Sequence, residues 1–194
     1  MQRTTRSRPP LHWMITAAAI TVVLPHQAHA CRMFVQPILE DVSHANVVVV
    51  GQIQNYRIVR DEAFRRRMLA SPHLSADMRK MYADPKQGFL PDYARFDIQI
   101  EEVLVGSVPR RFSVTWDNST FGEPDRVAPG RYLVALRRSG SAIPPLRGPS
   151  ATILPNPDPN ALTLLQAPCS RAFIYEAGGE QARTIRAILS AQGH

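Results

Sequence analysis

The distribution of apolar and polar residues along the chain predicts a small, strand-rich domain. Residues 47–53 (VVVVGQI) are a continuous β-branched run, which is typical of a buried strand. Residues 93–105 (YARFDIQIEEVLV) alternate with a period of two, which predicts a strand with one buried face and one exposed face. Three shorter apolar segments predict further strands at 111–116, 131–137 and 162–166.

Helical spacing of apolar residues occurs in two places. Within residues 55–92, two short stripes predict two helices, formed by Phe64, Met68 and Leu69 and then by Leu74, Met78, Met81 and Tyr82. We expect Ser71-Pro72 to open the second of these helices and Asp84-Pro85 to close it. Residues 180–192 (EQARTIRAILSAQ) repeat apolar side chains at helical spacing and predict a C-terminal helix.

These elements favour a mainly β fold of one domain. Five short strands, one long insertion and a closing helix fit a five-stranded OB-like barrel. The sequence therefore predicts such a barrel, with a helical insertion (55–92) between strands 1 and 2 and a helix at the C-terminus.

The first thirty residues have the three parts of a secretory signal peptide. Three arginines without any acidic residue precede an uncharged apolar centre at 14–24, and Ala28-His29-Ala30 forms a small-residue cleavage site. We expect cleavage after Ala30, which leaves a domain of residues 31–194 with a formal net charge of +4 instead of +7. The apolar centre is too short for a membrane anchor, since a span needs about 20 residues.

Cleavage at this position makes Cys31 the first residue of the exported chain. The only other cysteine is Cys169, and an even count in an oxidising compartment predicts a disulfide. Such a bond would close a loop of about 139 residues, for which chain entropy gives roughly 4–5 kcal/mol. Two alternatives are a lipid anchor on Cys31 and a pair of free thiols. The composition, rich in arginine and poor in lysine, is typical of a GC-rich bacterial genome, so we expect a periplasmic or secreted protein.

Positive charge is concentrated in the insertion. Residues 55–95 hold nine basic and five acidic residues, whereas the rest of the chain after residue 30 holds eleven of each. Arg65, Arg66 and Arg67 are its densest point, and such a cluster attracts anions through a field that salt screens. We expect these arginines to contact a partner; the alternative is an ordinary solvated helix face.

Several segments match those of a known family, in the same order along the chain. They are an N-terminal cysteine exposed by cleavage, ANVVVVG at 45–51, FDI to VLVG at 96–106, PGRYLV at 129–134 and PCS at 168–170. Together they resemble the netrin-like domains, whose best-known members are the tissue inhibitors of metalloproteinases. The match spans roughly residues 31–175 and implies a non-enzymatic OB-fold binding domain.

The resemblance also implies a role for Cys31. In these inhibitors the amino and carbonyl groups of the first cysteine ligate the catalytic zinc of a protease, and Cys31 matches that position. An α-amine with a pKa near 7.7 is partly neutral and able to bind a metal. The inhibitors begin Cys-x-Cys, whereas Arg32 and Met33 follow Cys31, so the resemblance implies a bacterial variant with one disulfide, Cys31–Cys169.

The sequence contains none of the common catalytic constellations. His44, His73 and His194 follow the signal peptide, and none has a partner at ligand spacing, so we expect no metal and no cofactor. There is no G-x-S-x-G motif and no glycine-rich phosphate loop. Glu101 and Glu102 are adjacent on a strand and point to opposite faces, which predicts solvent-facing charges and not an acid–base pair.

These patterns lead to two functional hypotheses of different class. The first is an exported, non-enzymatic domain that binds an extracytoplasmic protein, with a zinc protease as the candidate. Its contact surface would be a rim formed by Cys31, the 55–92 insertion and the 117–128 loop. The second is an envelope module that binds anionic polysaccharide or lipid through Arg65, Arg66 and Arg67. A hydrolase of unrecognised type is a third alternative; we expect neither a nucleic-acid partner nor a transmembrane span after residue 30.

Overall fold

The computed structural model describes residues 35–86, 92–117, 124–138, 141, 146, 158, 160–167 and 169–193. The strands of this part of the chain are β1 (Val47–Val59), β2 (Tyr93–Val105), β3 (Arg111–Asp117), β4 (Arg131–Arg138), β5 (Leu162–Leu164) and β6 (Ile174–Glu176). Its helices are α1 (Glu62–Ala70), α2 (Ala76–Ala83) and α3 (Glu180–Ala191), preceded by a short 3-10 helix at Leu39–His44.

Five of the strands close into a barrel. They follow the order β1-β2-β3-β5-β4, and β4 pairs back with β1, while β6 pairs with β4 alone. The barrel pairings are antiparallel except for the parallel pair β3–β5. The expected fold class is confirmed: a mainly β, OB-like five-stranded barrel with helices between β1 and β2 and a helix at the C-terminus.

The valine run in β1 is buried on both of its faces. All four valines at 47–50 are 0% exposed. Val47 and Val49 join the barrel interior around Phe96, whereas Val48 and Val50 pack in a second cluster with Ile185 of α3. A strand covered on both sides needs apolar residues at every position, and this is why its sequence does not alternate.

β1 is longer than predicted. The strand continues to Val59, and its pairing with β2 extends to Tyr93. The alternation fails because the register shifts between Gln54 and Arg57, where Asn55 has a φ of 55°. Residues 55–59 therefore belong to β1, and the segment inserted between the two strands is 60–92.

The second helix of the insertion begins later than predicted. Ser71 is the C-cap of α1, and its N–H donates to the carbonyl of Met68. The N-cap of α2 is Ser75, whose Oγ accepts from the N–H of Met78 at 3.3 Å. The expectation that Ser71-Pro72 opens this helix was wrong, whereas the predicted end at Asp84 is confirmed.

The C-terminal part of the chain differs from the sequence expectations in its strands but not in its helix. β5 ends at Leu164, two residues before its predicted end, and the short strand β6 was not predicted. The predicted C-terminal helix forms, and Ala182, Ile185 and Leu189 are its buried stripe.

Within the described ranges, every helix is too short or too polar to cross a membrane.

Candidate functional site

Val35, the first described residue, is attached to the barrel beside Cys169. The N–H of Val35 donates to the carbonyl of Cys169 at 2.8 Å, and Val35 forms a parallel bridge with Ser170. Cys169 is disulfide-bonded, and its φ of 62° lies in the left-handed region that residues other than glycine rarely adopt. The predicted signal peptide and Cys31 lie outside the described residues, so the cleavage site and the Cys31–Cys169 pairing stay predictions.

Two hydrogen bonds tie the turn at Cys169 to the barrel. The indole N–H of Trp116, a buried residue of β3, donates to the side-chain carbonyl of Gln166 at 3.1 Å. The Gln166 amide in turn donates to the carbonyl of Ser170 at 2.7 Å. These bonds give the turn a fixed place relative to the barrel core.

Exposed apolar side chains accompany this attachment. Val35 is 39% exposed and Ile38 is 62% exposed, although the next residue, Leu39, packs against the cluster beneath α3. We call the exposed side chains of Val35 and Ile38, which lie beside the buried turn at Cys169 and Ser170, the N-terminal edge. It combines an anchored backbone with two exposed apolar side chains.

The described parts of the predicted rim lie at one end of the barrel. Trp116, which holds the Cys169 turn, is the cross-strand partner of Ala94 at the start of β2, where the insertion ends. The hydroxyl of Tyr56, near the end of β1, donates to the carbonyl of Pro124 in the 117–128 loop at 2.5 Å. The insertion, this loop and the N-terminal edge are therefore neighbours.

The arginine cluster of α1 buries one of its three members. Arg65 is 2% exposed, and its Nη2 lies 2.7 and 2.5 Å from the two carboxylate oxygens of Asp92, which is itself 4% exposed. Arg66 and Arg67 are exposed. Successive residues of a helix are separated by about 100°, and position 65 falls on the face of α1 that meets Asp92. Arg65 is therefore not part of the exposed cationic surface that the sequence predicted.

Asp92 and Arg60 fasten the two helices of the insertion to the barrel. Besides Arg65, Asp92 accepts a hydrogen bond from the N–H of Asp61, the N-cap of α1, at 3.1 Å. Arg60 donates from Nε to Glu62 at 2.7 Å, and its Nη1 donates to the carbonyls of Asp84 and Pro85 beyond α2. We call residues 60–86, which these contacts bracket, the helical hairpin.

A cleft of about 530 Å³ opens between the two helices of the hairpin. Its lining residues are Arg60, Glu62, Arg65, Arg66, Leu69, Tyr82, Ala83 and Pro85. Tyr82 is buried and packs its ring against Phe64, with 6.0 Å between the ring centroids. The cleft thus has an apolar and aromatic wall and several guanidinium groups.

Glu101 and Glu102 are engaged in ion pairs with different elements. Arg131 of β4 lies 2.5 Å from Glu101, whereas Arg186 of α3 binds both oxygens of Glu102 at 2.8 and 2.6 Å. Hydrogen bonds from Gln52 and Arg131 lower the pKa of Glu101, and the bond from Arg186 lowers the pKa of Glu102. Two carboxylates held in their charged form are suited to pairing and not to proton donation.

The described residues offer no clustered metal ligands. No three His, Cys, Asp or Glu side chains of this part of the chain come together in a way that could hold an ion. His44 is half-buried, His73 is exposed, and His194 lies outside the described residues.

Two residues that position the rim were not predicted from the sequence. Asp92 anchors the first helix of the insertion, and Gln166 anchors the turn at Cys169. Asp92 meets its arginine across 27 residues and Gln166 meets Trp116 across 50, so no local spacing reveals either contact. The one available signal was an acidic residue directly before a strongly alternating strand, and that signal is too common to use.

Comparison with known proteins does not identify a relative. No protein-family model matches the chain. No curated protein matches it either. The likeness to netrin-like domains therefore rests on the residues quoted above and on nothing else.

Proposed function

We propose that this chain is an exported, non-catalytic binding domain of the netrin-like type, which recognises a protein partner through its N-terminal edge. The observation that carries the proposal is the attachment of Val35 to Cys169 and Ser170. Val35, four residues after Cys31, is thereby held at the end of an OB-like barrel, beside a disulfide-bonded cysteine, and this supports a contact surface there.

The chain length between Cys31 and Val35 limits where the new N-terminus can lie. Four residues span at most about 14 Å when fully extended. A cut after Ala30 would therefore leave the α-amine of Cys31 close to the N-terminal edge, and a Cys31–Cys169 bond would fix its position there. An amine of this kind is partly neutral near pH 7 and so has a lone pair for a metal ion.

The resemblance to the metalloproteinase inhibitors suggests what such an amine would do. It would ligate the zinc of a partner protease together with the Cys31 carbonyl, while Val35 and Ile38 pack on the protease surface. The carboxylates of β2 support a non-catalytic reading, because Asp97, Glu101 and Glu102 are all engaged in ion pairs.

The proposal is tested with the oxidised 31–194 chain and a matched control that carries one extra alanine before Cys31. Before this, the intact mass of the chain exported from its full-length precursor establishes the cleavage site and shows whether Cys31 and Cys169 are joined, because a disulfide makes the chain two hydrogens lighter. We expect the 31–194 chain to inhibit at least one zinc endopeptidase of a panel and the extended chain to lose that inhibition, since its amine is displaced from the metal.

Three results would contradict this proposal in different ways. Equal inhibition by both chains would remove the role of the Cys31 amine but keep the binding surface. No binding to any protease, in inhibition and in direct binding measurements, would overturn the protease as partner. A lipid-sized mass on Cys31 would exclude both the disulfide and the amine mechanism.

A further inference from the structure

We propose that the cleft between α1 and α2 binds an acidic sugar unit of a carbohydrate polymer. The cleft lies on the helical hairpin and uses none of the residues of the N-terminal edge. The inference is therefore independent of protease binding and adds a second ligand to this end of the barrel.

The charges around the cleft favour an anion. Three arginines and one glutamate line it, and the buried Arg65 forms an ion pair with Asp92, which does not line the cleft. Arg66 is exposed and makes no ion pair with the described residues, so its planar guanidinium is open to a ligand. A guanidinium binds a carboxylate through two parallel hydrogen bonds, a geometry that matches a uronic acid.

The remaining lining residues favour a ring with an apolar face. Leu69, Tyr82 and Pro85 form an apolar and aromatic wall beside the arginines. A pyranose ring presents C–H groups on its faces and polar groups around its edge, so it would pack on this wall while its carboxylate meets Arg66. The volume of about 530 Å³ lies within the range of small-ligand sites, roughly 300–1,000 Å³.

The cleft is also formed before any ligand arrives. Arg65 is held against Asp92 at 2.7 and 2.5 Å, and Arg60 is oriented by Glu62 and by the carbonyls of Asp84 and Pro85. These bonds fix both walls of the cleft, and a preorganised site loses less entropy on binding.

The hairpin surface favours a carbohydrate over a membrane. A helix that lies on a lipid surface needs a broad exposed apolar face beside its basic residues. Among the residues of α1 and α2, Met81 is the one large apolar side chain that is well exposed. The apolar groups of the hairpin line a concave cleft instead, which suits a compact ligand and not a flat bilayer.

The test is calorimetric titration of the 31–194 chain with trigalacturonate, with neutral galactotriose as the matched ligand. We expect binding of the acidic trimer alone. Arg66→Ala should weaken it by about tenfold or more, because one charge-assisted bidentate contact is lost. Arg66→Lys should retain part of the affinity, because lysine keeps the positive charge but cannot form two parallel hydrogen bonds to a carboxylate. Arg110→Ala, an exposed arginine on the turn between β2 and β3, is the control and should bind as the parent does.

A second readout locates the ligand. Backbone amide shifts on titration should be confined to residues 60–69 and 82–86, which surround the cleft. The proposal is overturned if galactotriose binds equally, if Arg110→Ala weakens binding as much as Arg66→Ala, or if the shifts spread over the whole basic surface. It is also overturned if phosphatidylglycerol vesicles bind the chain and trigalacturonate does not, because the ligand is then a lipid surface.

Discussion

The barrel and the helical hairpin are held together by opposite means. In the barrel, the buried groups are nearly all apolar, and strands from across the chain contribute to one interior around Phe96 and Ile98. In the hairpin, the two buried side chains of the helices are Arg65 and Tyr82, and polar contacts join the hairpin to the barrel. The first region is stabilised by area removed from water and the second by a few specific bonds.

This difference has consequences for how each region responds to change. Apolar burial is non-directional, so the barrel tolerates small adjustments but loses stability with each cavity. A buried ion pair is directional, and removal of one partner leaves an uncompensated charge. We therefore expect mutations of the barrel to lower global stability and mutations of the anchors to release the hairpin alone.

The largest effect is expected from Phe96→Ala. Phe96 is 0% exposed in the barrel interior and stacks on Tyr56 with 5.9 Å between ring centroids. Removal of its ring should lower the free energy of unfolding by about 3–5 kcal/mol. Chemical denaturation followed by far-UV circular dichroism measures this loss. A value under 1 kcal/mol would show that the interior repacks freely and that the contrast between the two regions is wrong.

Similar in size but local in extent is the effect of Asp92→Ala, which leaves Arg65 buried without its carboxylate. We expect a cost of about 3–5 kcal/mol, confined to the hairpin, which then opens while the barrel stays folded. Limited digestion with trypsin should show faster cleavage after Arg66 and Arg67, with the near-ultraviolet signal of the buried Trp116 unchanged.

A double variant sharpens this test. Arg65→Met combined with Asp92→Leu replaces the ion pair by apolar groups of similar volume and should recover most of the protection against trypsin. If Asp92→Ala instead unfolds the whole domain cooperatively, the hairpin and the barrel are one unit and the proposed separation fails.

The same contrast explains what the sequence could and could not predict. The valine run and the alternation around Phe96 and Ile98 record which faces are buried, so the barrel strands and the C-terminal helix were predictable. The end of β1 was not, because the bulge at Asn55 breaks the alternation where the strand leaves the barrel. The burial of Arg65 was not predictable either, since a charged residue is assigned to the surface unless its distant partner is known.

A smaller effect is expected at the N-cap of α2. Ser75 accepts the hydrogen bond from the N–H of Met78, and Ser75→Ala removes it. The expected cost is about 0.5–2 kcal/mol, again local to the hairpin. Hydrogen exchange of the amides of Met78 and Arg79, which are bonded to the side chain and the carbonyl of Ser75, should accelerate while that of β1 and β2 does not. Ser75→Asp keeps an acceptor at this position and should leave the exchange rates near the parent values.

The smallest effect concerns a polar cluster on the outside of the barrel. The Asp97 carboxylate accepts from Ser113 at 2.6 Å, from Arg111 at 2.8 Å and from Asn55 at 2.8 Å. These bonds, of which that from Ser113 contributes most, hold the pKa of Asp97 well below its usual range. The cluster also ties down the bulged residue of β1.

A lowered carboxyl pKa stabilises the folded chain at neutral pH, and this contribution is lost as pH falls below about 4, the ordinary value, towards the lowered one. Asp97 lies near solvent, so Asp97→Asn should cost only about 0.2–1 kcal/mol at pH 7 and should flatten the acid limb of the stability curve. Denaturant unfolding at a series of pH values from 7 down to acid measures both the loss of stability at pH 7 and its dependence on pH. Ser113→Ala should show part of the same flattening. An unchanged acid limb in Asp97→Asn would mean that other carboxylates, such as Glu102 on Arg186, set the acid sensitivity of the barrel.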